Sequence, residues 1–294
     1  MCLAVKSMTG YGRCHIEEDG REMTVEVKSV NHRFLDISYR LSRTLSFLDD
    51  AVRKGVGARL ARGHVDVFVS YANHRQDARE VRVDTALAVA YRTALAELAA
   101  AVGKDADVPL TDYARLPDVL TVQEKEEDQQ TVRELFERAL AGALDGLIAM
   151  RGQEGERMRD DILEKIANIE SIRGRVSERA PLVVAEYRDK LHQRIAQLTD
   201  GEIDEARLIT EVAIFADRAA IDEELVRLTS HIAAIRETVA LAEPVGRRLD
   251  FLVQELNREV NTIGSKASDT MIAQAVVSAK GEIEKLREQV QNVE

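Results

Sequence analysis

The sequence predicts a predominantly helical α+β protein: a small N-terminal β-sheet module with helices, followed by a long helical hairpin and a C-terminal helical bundle. Three observations predict it. Apolar and polar residues alternate in parts of the first seventy-odd positions, as in half-buried strands. The rest shows helical periodicity in segments rich in Ala, Leu, Glu and Arg, and aromatic residues are only 4% of the chain, with no Trp and four Pro. With 294 residues and 45% hydrophobic content, the chain is long enough to bury one large core or two ordinary ones. The punctuation divides it into an α+β domain over 1–150, a helical hairpin connector over 151–200 and a helical domain over 201–294.

Taken in order, residues 22–41 alternate through Met23, Val25 and Val27, then Phe34, Leu35 and Ile37. Asn31-His32 interrupts the run, which suits a turn or bulge between two paired strands. A third strand is legible at His64–Tyr71, after the Arg62-Gly63 turn, and between them Leu45, Leu48, Val52, Val56 and Leu60 recur at helical spacing. Asp84 is a candidate N-cap for an Ala-rich helix that runs to Val102 and stops at Gly103. Periodicity resumes over 131–149 and continues past Met158, Ile162, Ile166 and Ile169. The 151–179 stretch has a narrow apolar stripe, so it is expected to pack against one partner helix, with Pro181 as the corner of an antiparallel hairpin. Gly201, Glu243-Pro244 and Gly264 then divide the last third into helices of about 40, 18 and 25 residues.

Charge narrows the possibilities. The net charge of −11 argues against a general polyanion coat. Residues 1–76 nevertheless carry 12 Lys/Arg against 9 Asp/Glu, or +3, whereas 77–150 carry 8 against 15 and 151–294 carry 21 against 28, or −7 each. A polyanion would therefore meet the N-terminal region. Cys2 and Cys14 are too few for a disulfide framework or a four-ligand zinc site. No apolar signal segment and no uncharged run of roughly 20 residues is present, so a cytoplasmic protein away from membranes is expected.

Several chemistries lack their motifs: no phosphate-binding G-x-x-x-x-G-K-[ST] loop, H-E-x-x-H or G-x-S-x-G is present. What remains is acidic and amide residues toward the C-terminus. Asp217, Glu224 and His231 are spaced by seven, so on a continuous helix they share one stripe. Carboxylates and a neutral imidazole suit Mg²⁺ or Mn²⁺, though a solvated helix face has the same composition. In the helix around residue 255, Leu249, Leu252, Val253, Leu256, Val260 and Ile263 form the buried side. Asp250, Gln254, Asn257 and Asn261 line the other, with Glu255, Glu259 and Thr262 alongside. Such an amide face suits either ligand hydrogen bonds or a polar seam between subunits. Arg247-Arg248 and Lys266 bracket it with the positive charge a phosphate needs. Arg13, Lys28, His32, Arg33, Arg40 and Arg43 supply further cations on or beside the N-terminal strands.

At both ends the chain resembles the YicC family. K-S-M-T-G-Y-G-R (6–13), E-V-K-S-V-N-H-R-F-L-D-I (26–37) and R-G-H-V-D-V (62–67) are similar to its opening blocks. GRRLDFLVQELNREVNTIGSKASD (246–269) and REQVQNVE (287–294) are similar to its closing ones; between about 77 and 200 the likeness is carried by helical character and R-A-P (179–181). The resemblance implies divalent-metal-dependent endoribonuclease activity on single-stranded or loop RNA and a homo-oligomeric ring, a hexamer. On that reading Asp217, Glu224, His231 and Asp250 are metal ligands, and Glu224, His231, Glu255 and Glu259 are catalytic. Arg13, Lys28, His32, Arg33, Arg247, Arg248, Gln254, Asn257, Arg258, Asn261 and Lys266 bind RNA. Either activated water attacks phosphorus or the RNA 2′-hydroxyl does, with His231 as base. The family stretch usually has Asp where this chain has Ala220; if that Asp is a ligand, either Asp222 or Glu223 replaces it or the site is impaired. The reading from another class is a non-catalytic RNA-binding adaptor that presents RNA to a separate nuclease.

Overall fold

Two hydrophobic cores share one helix. The computed structural model describes residues 5–75, 77–103, 105, 108–125, 127–199, 204–241 and 243–294. The first core is roofed by a mixed four-stranded sheet of β1 (Gly10–Glu18), β2 (Arg21–Val30), β3 (Leu35–Arg40) and β4 (Gly63–Asn73), in the order β1-β2-β4-β3. Asp19 and Gly20 both have positive φ, 50° and 70°, so β1 and β2 are joined by a tight turn whose twist suits a hairpin. Alternation puts Met23, Val25, Val27, Val65 and Val67 on the inner face, against α1 (Asp49–Gly57) and the first part of α4 (Gln129–Leu198).

The helix α4 is 70 residues long, a rod of about 105 Å. Its early turns bury Phe136, Ala139, Leu140, Ala143 and Leu147 under the sheet, and its later turns bury Ile162, Ile166, Ile169 and Ile172 in the second core. That core is completed by α6 (Asp222–Thr238), α7 (Gly246–Lys266) and α8 (Thr270–Val290), with Leu208 of α5 (Glu205–Ala219) also buried. Arg179, two residues before Pro181, reaches Glu186 at 2.6 Å and the Asp269 cap of α8 at 2.7 Å. The cores meet where Ser7 bridges Val293, Glu294 donates its amide to Lys6 O at 2.9 Å, and the buried Arg151 guanidinium pairs with the Glu294 side chain.

The α+β class and helical predominance are as expected, and so is α2 (Thr85–Val102), capped by Asp84, whose side chain accepts from the Leu87 amide at 2.8 Å, and ended by Gly103 at φ +69°. Four expectations are corrected. The strands flanking Asn31-His32 are not paired with each other: β4 lies between them, and β3 runs parallel to it. No hairpin turns at Pro181; α4 passes straight through it, because Val176 and Val183 on either side are buried in the same core and tertiary packing outweighs the lost amide. The expected 40-residue helix is broken at Ala220, whose ψ of 121° is extended, so α5 and α6 are separate. Gly264 does not end its helix, which continues to Lys266.

One element pair was not anticipated: β5 (Arg79–Val83) and β6 (Leu120–Glu124) make a two-stranded ribbon, with Val81 opposite Val122 and Val83 opposite Leu120, all four exposed. Among the described helices only α2 has the length and hydropathy of a membrane span, and it carries Arg92 and Glu97. Cys14 is a free, half-buried thiol, and Cys2 lies outside the described residues.

Candidate metal centre

Helices α6 and α7 pack antiparallel, and the side chains that cross between them define the site. The first turn of α6 holds Asp222, Glu223 and Glu224, carboxylates that complement the positive end of the helix dipole. Positions 224, 227 and 231 then fall on the edge facing α7, while positions 255, 259 and 266 face back, because the apolar stripe of α7 sinks Leu252, Leu256, Val260 and Ile263 into the core beside them.

Three ligand-capable atoms converge there: one each from His231, Glu255 and Glu259 lie within 4.8 Å of one another, the only such His/Cys/Asp/Glu group among the described residues. Glu259 is 3% exposed and its nearest cation, Arg227 Nη1, stands 3.7 Å from Oε1, too far for a hydrogen bond. Glu255 is half-buried, with Arg258 Nη1 at 3.8 Å. A carboxylate held in such a place without close compensation favours a cation beside it. Imidazole nitrogen and carboxylate oxygen are the donors that Mn²⁺ and Mg²⁺ accept, so the residues fit the divalent metal that the resemblance implies.

Two turns away, Lys266 Nζ donates to Glu224 Oε1 at 2.8 Å. Glu224 is 6% exposed, and its other oxygen, Oε2, has no partner. Burial pushes the Glu224 carboxyl upward, but the Lys266 hydrogen bond and surrounding charge hold it below its ordinary value.

Of the expected ligands, His231 is in the cluster and Glu224 is committed to Lys266 in the same helix pair. Asp217 is not on their stripe: the break at Ala220 puts it on α5, exposed. Asp250 is bound by Gln254 Nε2 at 2.8 Å. Asp222 and Glu223, the substitutes considered for Ala220, are exposed, and Glu223 pairs with Arg227. Of the expected catalytic residues, Glu255 and Glu259 join His231. Asn257 and Asn261 are exposed and linked to each other at 3.4 Å, and Arg247 and Arg248 are exposed without an ion pair among the described residues. Lys266 is spent on Glu224 rather than left free. The N-terminal cations sit on the sheet and its loops instead: Arg13 pairs with Glu26 at 3.6 Å, Lys28 lies over the rings of Tyr11 and Phe68, Arg40 also lies over Phe68, Arg33 stacks on Phe34, and Arg43 is exposed. Arg227 was missed; its position, three after Glu224 and four before His231, was the signal that would have found it.

A sheet fused by one long helix to a bundle carrying an acidic and histidine-bearing face defines an α+β protein with a divalent-metal type of donor set. The family comparisons add its lineage. The chain matches the family model described as the endoribonuclease YicC-like N-terminal region over residues 5–160 and that of the endoribonuclease YicC-like C-terminal region over 176–294. It belongs to this endoribonuclease family. It is 39% identical over 290 residues to the "Probable endoribonuclease YicC" of Clostridioides difficile (strain 630), covering 98% of this chain and 99% of that one. It is 32% identical over 292 residues to the protein of the same name from Haemophilus influenzae (strain ATCC 51907 / DSM 11121 / KW20 / Rd), covering 99% and 100%.

Proposed function

We propose that this chain is a divalent-metal-dependent endoribonuclease that cleaves single-stranded or loop RNA, with Mn²⁺ or Mg²⁺ held by His231, Glu255 and Glu259. The convergence of those three ligand atoms within 4.8 Å carries the reading. A cation bound there supplies Lewis acidity beside a phosphodiester. The protein's own groups do the rest. Burial of Glu259 keeps bulk water from competing for its oxygens, and Arg227 and Arg258 flank the carboxylates where a phosphate would approach. Lys266 and Glu224 form a fixed polar edge, while Arg247 and Arg248, unspent at the start of α7, face the incoming strand. The names of the relatives, both probable endoribonucleases, support the reaction class.

RNA on the N-terminal cations and assembly as a homo-oligomer, the hexamer of the resemblance, belong to the same reading. The exposed Val81, Val83, Leu120 and Val122 face supports assembly, because a two-stranded ribbon is marginal until its apolar side is covered. The test is cleavage of a defined hairpin RNA in manganese and in EDTA. Manganese should raise the wild-type rate well above that in EDTA, and Glu259→Gln and Glu224→Gln should each lose at least about 100-fold of the manganese-dependent part. Equal manganese-dependent cleavage by wild type and Glu259→Gln would remove the centre from the reaction.

A further inference from the structure

The opening motifs N-H-R-F-L-D and R-G-H-V-D are not used by the α6–α7 centre, yet the fold brings them together. Because β3 runs parallel to β4 in the register Asp36 opposite His64, the Asp36 carboxylate reaches the imidazole of His64, Oδ2 to Nδ1, at 2.8 Å. Asp66 stands at 3.5 Å from Nε2 of the same ring. His32, in the loop that enters β3, has its ring centre 6.4 Å from that of His64 at an interplanar angle of 70°. Its Nδ1 lies 3.0 Å from Phe34 O, and a carbonyl only accepts, so Nδ1 carries the hydrogen and Nε2 is left as an open acceptor. The same carbonyl takes the Gly63 amide at 3.1 Å, so one oxygen fixes both the His32 ring and the start of β4.

The two rings are thus prepared for opposite tasks. His32 presents an open acceptor nitrogen and is exposed, whereas His64, between two carboxylates, is held as the proton-bearing partner. The Asp36 hydrogen bond leads the influences that raise His64 above its ordinary value of 6.5. Neighbouring groups are cationic: Lys28 lies across the strands from Asp66, Arg33 follows His32, and Arg62, two residues before His64, has a buried Nε without a partner. A ring with an open acceptor nitrogen beside a ring held between two carboxylates is the geometry that a base and an acid need.

We infer that His32 and His64 form a second, metal-independent cleavage site for RNA, acting through the substrate's own 2′-hydroxyl. The choice of RNA rests on the endoribonuclease reading above; the pair of histidines does not depend on the α6–α7 centre. His32 Nε2 takes the proton of the 2′-hydroxyl, and the 2′-oxygen forms its bond to phosphorus as the bond from phosphorus to the 5′-oxygen breaks. His64 Nε2 gives its proton to that departing oxygen. The products are a 2′,3′-cyclic phosphate and a 5′-hydroxyl, and proton exchange with solvent resets both rings. Asp36 is a positioning residue, because it holds the His64 ring and its charge without touching the reacting atoms.

The test uses the full chain with a fluorescently labelled 20-nucleotide single-stranded RNA in excess EDTA. Wild type should still cut it, leave 2′,3′-cyclic phosphate ends, and fail to cut the same strand made entirely of 2′-O-methyl nucleotides. His32→Ala and His64→Ala, purified beside wild type, should each lose at least about 100-fold of this EDTA-resistant rate. Asp36→Asn should lose it less while shifting its pH profile. His64→Gln stands in for His64→Ala if melting curves show the latter unfolded. RNA left intact by wild type in EDTA, cleavage of the 2′-O-methyl strand, or wild-type rates in folded His32 and His64 variants would each overturn the proposal. Loss of manganese-dependent cleavage alone bears on the α6–α7 centre and leaves this pair standing.

Discussion

The two halves of α4 solve the packing problem in opposite ways. Against the sheet the helix presents small residues, Ala139, Gly142, Ala143 and Gly146, and backbone meets backbone: a Cβ placed on Gly12 of β1 would stand 1.9 Å from Ala143 O. Farther along, Ile162, Ile166, Ile169 and Ile172 fill the spaces between α6, α7 and α8 with branched side chains. The first half is therefore intolerant of added atoms and the second of removed ones. Hydrophobic burial drives both, but closeness limits one and filling limits the other.

The contrast is open to direct attack. Gly12→Val should do at least as much damage as any single change in the other half, beyond the upper end of the roughly 1–3 kcal/mol typical of overpacking, because helix backbone rather than a flexible side chain blocks the new atoms. Urea unfolding that shows less than half of that upper figure would mean the sheet slides on α4 more freely than its contacts imply. Ile166→Ala, fully buried in the other half, should cost about 2–5 kcal/mol by the same measurement, in proportion to the cavity left behind. Smaller is the acid dependence tied to Glu224. Its folded carboxyl lies below 4.5, so the stabilisation it brings is complete above that value and is lost as pH falls from there through the lower folded pKa. The stability difference between wild type and Glu224→Gln should accordingly be level at neutral pH and shrink in acid; a difference that stays level would deny the Lys266 pairing its role. Smallest, and opposite in sign, is Gly174→Ala within α4, where a new Cβ meets nothing within 4 Å; it should stabilise by about 0.5–1 kcal/mol, read as a higher melting temperature.

Much of the fold was legible because local rules and tertiary packing agreed. Asp84 and Gly103 delimit α2 as caps should, and the six apolar positions of α7 that periodicity assigns to the core are all buried, with Phe251 exposed off that stripe. Legibility failed where packing overrode a local cue or where no local cue existed. Pro181 is a proper helix-breaking signal, but buried neighbours on both sides and the Arg179 links to Glu186 and Asp269 hold the helix continuous across it. The break at Ala220 has neither Gly nor Pro to announce it; the buried Ile221 at the start of α6 marks it only in three dimensions. Strand β3 could not be placed from alternation, since period two says which face is buried and nothing about which neighbour is paired. The same limit shaped the site. Heptad spacing put Glu224 and His231 on one face, and it extended that face to Asp217 only by assuming an unbroken helix. Glu255 and Glu259 were recognised as oxygen donors, but that they meet His231 across two helices is a fact of packing.

The seam at Arg151 carries a consequence for how the chain is made. Ser7 takes its bridge from Val293, and Arg151 meets Glu294, so residues made early wait for residues made much later. At ribosomal speed the 143 residues from Arg151 to Glu294 take roughly 10–30 s to appear. Through that interval Arg151 lacks the carboxylate that it meets in the folded chain, and only the arrival of Val293 and Glu294 can close the seam.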